Sequence, residues 1–121
     1  MATFVVEFQY RVDREGRGAA HRAHAAYLRD LADRGVLLLG GPLVEENRGL
    51  LVYRVGDRAE LQRVLDREPY LLAGLVAETR ISEWSPGKGS WIPAPAKPDG
   101  RAMSEHGPER GPRTEKRVAE A

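Results

Sequence analysis

Residues 3–12, TFVVEFQYRV, alternate strictly: Phe4, Val6, Phe8, Tyr10 and Val12 fall on one side, Val5, Glu7, Gln9 and Arg11 on the other. A period of two built from aromatic and β-branched residues predicts a strand with one strongly apolar face. Such a face needs a cover, and the next stretch offers one. From about Ala19 to Arg34 the apolar residues Ala20, Ala23, Tyr27, Leu28, Leu31 and Ala32 recur at helical spacing. Gly35 then stands where a helix C-cap glycine belongs.

The remaining elements follow outward from this pair. Val36 to Leu39 reads as a short strand, stopped by Gly40-Gly41-Pro42, and Glu45 to Gly49 as a polar turn. Leu50 to Val55 is a third strand. Asp57 is placed to cap a second helix, with Glu60 three residues on at the spacing of a capping box and Leu61, Val64 and Leu65 as the buried stripe. Pro69 disfavours helical dihedrals at Glu68 and ends that helix. A short turn, Tyr70 to Gly74, leads to a last strand over Leu75–Trp84. The order β-α-β-β-α-β predicts an α+β, ferredoxin-like fold: a four-stranded antiparallel sheet with two helices on one face. The opposite face, with Val5 and part of the last strand, is left without helical cover. A second copy of the chain is the expected occupant, because so small a domain has a thin core.

Composition shifts after Ser85. Residues 86–121 hold six of the chain's eight prolines, and their only large apolar side chains are Trp91, Ile92, Met103 and Val118. They cannot bury enough surface to offset chain entropy. The expected organisation is therefore a domain over 1–85 and a largely disordered tail over 86–121, in which Trp91 to Pro95 can lie as an extended strap and Thr114 to Ala121 as a frayed helical turn. Nineteen basic against 18 acidic residues, a formal charge of +1, argue against a dedicated nucleic-acid binder. The absence of cysteine excludes a disulfide framework, a thiolate nucleophile and a Cys-ligated metal. No uninterrupted apolar run exceeds four residues, so no membrane span is expected, and with no secretory pattern at the start the expected location is cytoplasmic.

Candidate chemistry centres on one helix stripe. His24 shares a stripe with Leu28 and Leu31, so it points towards the sheet. Imidazole suits proton transfer near neutral pH, and a carboxylate partner fixes its tautomer. Such a histidine can equally be a satisfied core residue. Glu68 is the candidate partner, or else a surface acid at a helix end. Tyr10, Tyr27 and Tyr70 are candidate walls of a substrate pocket, with hydroxyls able to orient a ligand, although aromatics at such spacing also simply fill cores. His21 and His24 stand at i and i+3, a spacing that can ligate a metal with Glu68 as third ligand. No third ligand is close in sequence, so no metal or other cofactor is assigned. The Gly40-Gly41-Pro42 segment lacks the pattern of a phosphate loop, and no hydrolase elbow is present.

Two groups of residues carry a family resemblance. His24-Ala25-Ala26-Tyr27-Leu28, Leu31, Gly35, Leu37-Leu38 and Gly41-Pro42 form the first. Glu68-Pro69-Tyr70, Ala73-Gly74-Leu75, Ile81 and Trp84 form the second. The ordered set resembles the YCII-related (YciI-like) family over nearly all of residues 1–85. That resemblance implies a dimeric α+β barrel and acid–base chemistry by a His–Asp pair, with some members acting in dehydrochlorination of hydroxylated aromatic rings. His24 takes the place of the histidine. Two positions depart from the pattern: Glu68 stands where the family carries aspartate, and His21 where many members carry arginine. The extra methylene of Glu68 requires its carboxylate to fold back or the pocket to widen.

Two functional readings follow. In the first, His24 and Glu68 perform isomerisation, elimination or lactone chemistry on a small aromatic or enolisable substrate. In the second, the chain is a non-catalytic dimeric ligand-binding or interaction module with a structural His–Glu pair. A His24–Glu68 contact at an open pocket favours the first; a sealed His24 favours the second.

Overall fold

The computed structural model describes residues 1–93, and every strand and helix among the described residues lies within the compact unit Met1–Ser85. The elements are β1 (Ala2–Tyr10), a 3-10 turn (Glu15–Arg17), α1 (Gly18–Asp33), β2 (Leu37–Pro42), β3 (Arg48–Val55), α2 (Arg58–Leu65), α3 (Pro69–Leu72) and β4 (Val76–Trp84). The four strands form one antiparallel sheet in the order β2-β3-β1-β4, the ferredoxin-like arrangement.

The alternation of β1 sets the two faces. Phe4, Val6 and Phe8 are buried; Phe4 pairs with Tyr53, and Val6 lies between Leu51 and Ile81. These residues, with Leu31 of α1 and Leu61 and Leu65 of α2, form the core between sheet and helices. On the other face Val5 lies between Val52 and Ser82, and Glu7 between Leu50 and Arg80. No helix of the described residues is long and apolar enough to cross a membrane.

Helix ends follow the local signals. Gly35 adopts φ +76°, and the Val36 N–H donates to Leu31 C=O while the Gly35 N–H donates to Ala32 C=O, the paired bonds of a Schellman stop. Asp57 caps α2 by accepting from the Glu60 N–H at 2.8 Å, and the Glu60 carboxylate reaches back to the Gly56 N–H at 2.7 Å. That is the reciprocal logic of a capping box, shifted back by one residue.

Three expectations are corrected. β2 does not stop at Leu39 but runs through Gly40 and Gly41 to Pro42. It is an edge strand, where proline's missing donor costs no interior ladder bond. A Cβ at Gly40 would come within 2.7 Å of Leu51 Cδ2, so the bare backbone there gives the Leu51 side chain room. Tyr70 to Gly74 is not a simple turn, since Pro69–Leu72 forms a short helix with Glu68 as its N-cap. Proline suits the first helical position because its absent N–H would have no partner there. Trp91 and Ile92 are not extended: residues 90–91 turn, and the Ile92 N–H donates to Gly89 C=O at 3.0 Å. The helical turn expected over 114–121 and most of the expected tail lie outside the described residues.

Candidate active site

Glu68 is fully buried, at 0% exposure, where a terminal surface acid would have been solvated. A buried carboxylate must be paired, and its two oxygens have separate partners. Oε1 accepts the Tyr70 N–H at 3.1 Å, capping α3, and Oε2 meets His24 Nδ1 at 2.5 Å. An ionised carboxylate only accepts, so Nδ1 carries the hydrogen and Nε2 is the ring nitrogen left for other partners. The His24 side chain is 12% exposed, so the pair is neither sealed nor solvated. The extra methylene of Glu68 is absorbed by folding back: one oxygen caps its own helix, and the other reaches α1.

Tyr70 fixes the ring plane of His24. The two rings stack 3.8 Å apart at 9°, and the Tyr70 hydroxyl lies 3.0 Å from His21 Nδ1. Tyr10, at the end of β1, meets Tyr70 edge-on at 5.6 Å. The guanidinium of Arg17 covers the Tyr10 ring at 3.8 Å. Burial pushes the Tyr10 phenol up to about 12, opposed by the positive charge of Arg17. A Cβ on Gly49 would come within 2.5 Å of the Tyr10 hydroxyl oxygen, so the bare backbone of β3 makes room for that ring.

These side chains border a cleft of about 420 Å³, large enough for a single substituted ring. His21, His24 and Leu28 of α1 and Tyr70 of α3 line it, together with Gly40, Gly41 and Pro42 of β2 and Leu51 of β3. Arg14, Arg17 and Tyr10 also line it. Of the predicted site residues, His24, Glu68, Tyr10 and Tyr70 are thus brought together, with Glu68 behind the wall. Tyr27 is not: its hydroxyl donates to Val64 C=O at 2.7 Å, tying α1 to α2, and it does not line the cleft. His21 faces Tyr70, and no group of three His, Asp or Glu side chains among the described residues is placed to hold a metal.

Sequence reasoning missed Arg17, Arg14 and Gly49. Arg17 lies in a 3-10 turn without periodicity, and its partners Tyr10 and Asn47 come from the ends of other elements. Gly49 was read as the end of a polar turn but belongs to β3, and a glycine beside a strand offered its one available signal.

The sequence model of the YCII-related domain matches residues 2–85. The chain belongs to the YCII-related family. No curated protein matches it in sequence. Among solved structures it is similar to 5-chloro-2-hydroxyhydroquinone dehydrochlorinase from Burkholderia phenoliruptrix AC1100, in complex with 2,5-dihydroxybenzoquinone. The two share 23% identity over 70% of this chain and 95% of that one, with a TM-score of 0.62. At that identity the likeness is one of fold. Within the YCII-related domain matched here, the helix-covered side of the sheet carries the cleft, and no helix among the described residues covers the opposite side.

Proposed function

We propose that this YCII-related protein is an acid–base enzyme acting on a small aromatic or enolisable substrate, with His24 as the proton-transferring group. One observation carries the reading: His24 lines an open cleft and is held at 2.5 Å by the buried carboxylate of Glu68. Glu68 holds the tautomer that leaves Nε2 as a base, and it stabilises the imidazolium formed when Nε2 takes a proton. Tyr10 and Tyr70 border the space for a ring. Isomerisation, lactone chemistry and elimination of hydrogen chloride from a chlorinated hydroquinone all need this step. In the elimination one ring-hydroxyl proton is transferred to the chlorinated carbon, which becomes tetrahedral. A second hydroxyl proton then goes to the base as chloride leaves with the bonding pair of the C–Cl bond, giving the hydroxyquinone and HCl. No oxidant is consumed and no cofactor is required.

The likeness to the dehydrochlorinase supports chlorinated hydroxyhydroquinones as the first substrates to test. Chloride release is measured with the full chain and with His24→Ala. The expected loss is about 10²–10⁴-fold, the usual contribution of a positioned general base. Equal turnover by the variant overturns the assignment, and the same variant is then scored on lactones and enolisable ketones.

The same proposal includes a homodimer formed through the open sheet face. Val5 and Val52 lie at its centre, Leu39 and Trp84 are exposed towards its edges, and the Glu7–Arg48 ion pair runs alongside. Light scattering at micromolar concentration should give twice the chain mass of 13.4 kDa. A clean monomer refutes the dimer.

A further inference from the structure

The charges around the cleft are one-sided. Arg14 and Arg17 line it beside the imidazoles of His21 and His24, and among the described lining residues there is no aspartate or glutamate. Glu68 sits behind His24 and is engaged by it. Arg14 and His21 are exposed, but Arg17 is half-buried and held in place. Its Nη1 donates to Val12 C=O at 3.0 Å and to Asn47 Oδ1 at 2.8 Å, and its plane rests on Tyr10. Asn47 is itself anchored, with Nδ2 donating to Val12 C=O at 3.1 Å.

Every partner of this guanidinium is neutral. No carboxylate among the described residues forms an ion pair with Arg17. Nη1 is occupied, while the Nε and Nη2 hydrogens have no partner among the described residues. An arginine on a flexible surface loop would lose conformational entropy on gripping a ligand. Here the aromatic stack and two acceptors have already fixed the fork, which lowers that cost. A planar, half-desolvated cation with free parallel donors matches a planar oxyanion.

We infer that Arg17 determines substrate charge, and that the cleft takes an unsaturated ring carrying an oxyanion, either a carboxylate or an ionised ring hydroxyl. The inference rests on the reading of this cleft as the substrate site and adds the charge class and the residue that selects it. Arg17 is a specificity residue: it holds the oxyanion, and His24 handles the proton.

Calorimetric titration of the full chain tests it with three probes. These are 2,5-dihydroxybenzoquinone, ionised at its hydroxyls near neutral pH; 2,5-dihydroxybenzoate, ionised at its carboxylate; and the neutral 2,5-dimethoxybenzoquinone. At least one anion should bind about tenfold to hundredfold more tightly than the neutral probe, the range for one charge-assisted bidentate contact. Which anion binds better distinguishes ring oxyanion from carboxylate. Added salt should shrink the preference. Arg17→Gln should abolish it, and Arg17→Lys should restore part, because charge returns without the fork. Equal affinity for anions and neutral probe, no binding of any probe at millimolar concentration, or a preference that survives Arg17→Gln overturns the inference. If Arg17→Gln does not fold, the wild-type preference and its graded loss in Arg17→Lys decide. None of these results depends on turnover, so a failed charge preference and a failed His24 assignment remain distinguishable.

Discussion

Replacing Glu68 by Gln changes one atom at the point where fold and chemistry meet. The Tyr70 N–H can only donate, so it orients the new amide: the oxygen must face Tyr70, where Oε1 now accepts at 3.1 Å. The amide nitrogen then faces His24 Nδ1, where Oε2 now sits at 2.5 Å. An amide NH₂ can only donate, so Nδ1 must become the acceptor and the ring hydrogen moves to Nε2. The side chain's place is kept while the tautomer is inverted. The cleft-facing nitrogen loses its lone pair and can no longer act as a base.

The magnitudes separate the two consequences. Charge-assisted hydrogen bonds contribute about 1.5–3 kcal/mol each and neutral ones about 1. Removing a buried charge offsets part of that difference, so stability should change by no more than about 2 kcal/mol. Turnover should fall about 10²–10⁴-fold, or ~2.7–5.5 kcal/mol in the barrier. Glu68→Leu, in contrast, leaves the Tyr70 N–H and His24 Nδ1 without partners, at about 1–3 kcal/mol each. Glu68→Asp is one methylene shorter and should keep the helix cap or the histidine contact, but not both. Imidazole ¹⁵N shifts read the tautomer directly. If His24 keeps its hydrogen on Nδ1 in the Gln variant, or if turnover is unchanged, the reasoning fails.

Tyr27→Phe should cost only about 0.5–1 kcal/mol, because Val64 C=O keeps the Arg67 N–H at 3.2 Å as a partner. Thermal unfolding should show the small drop while turnover stays at the wild-type level. Gly49→Ala forces the Tyr10 ring away from a 2.5 Å clash, at about 1–3 kcal/mol. It should also weaken anion binding by unseating Arg17, which titration checks. At high pH, Tyr10, raised by burial from 10.0 to about 12, favours its neutral form in the folded state. Its contribution is therefore fully present below pH 10 and is lost as pH rises towards 12. Tyr53 is pushed up further by burial and then by Glu68, and its hydroxyl has no partner among the described residues. Denaturant unfolding across pH 8–12 should show a plateau and then a fall, and a fall beginning near pH 8 would contradict the assignment.

The legible parts of the chain are those where one local interaction dominates. Alternation over residues 3–12 places Phe4, Val6 and Phe8 inside because a strand has only two faces. Gly35 and the Asp57–Glu60 pair mark helix ends because orphan backbone groups there need partners within a few residues. Where tertiary packing decides, the same signals mislead. Gly40-Gly41-Pro42 reads as a stop, yet it is strand, because pairing with β3 carries the chain on and the sheet edge tolerates proline. Tyr27 reads as a pocket wall, yet a carbonyl of another helix claims its hydroxyl. Arg17 could not be read at all, since its three partners are set by where β1 and the β2–β3 turn come to rest.

Glu68 lies between these cases. Before Pro69 it reads as the end of one helix, whereas the structure makes it the N-cap of the next. Its type suggests a partner for His24, but no local rule says one carboxylate serves both. The geometry shows why glutamate suits the position. Aspartate caps a helix with a shorter arm, whereas the added methylene lets one oxygen hold the Tyr70 N–H and the other reach His24 on α1. Because Tyr70 also stacks on His24, this cap fixes both the tautomer and the ring plane of the histidine. Holding the proposed base and starting α3 are one structural event, so on the proposed mechanism a substitution that loosens the cap should disturb proton transfer before it disturbs the core.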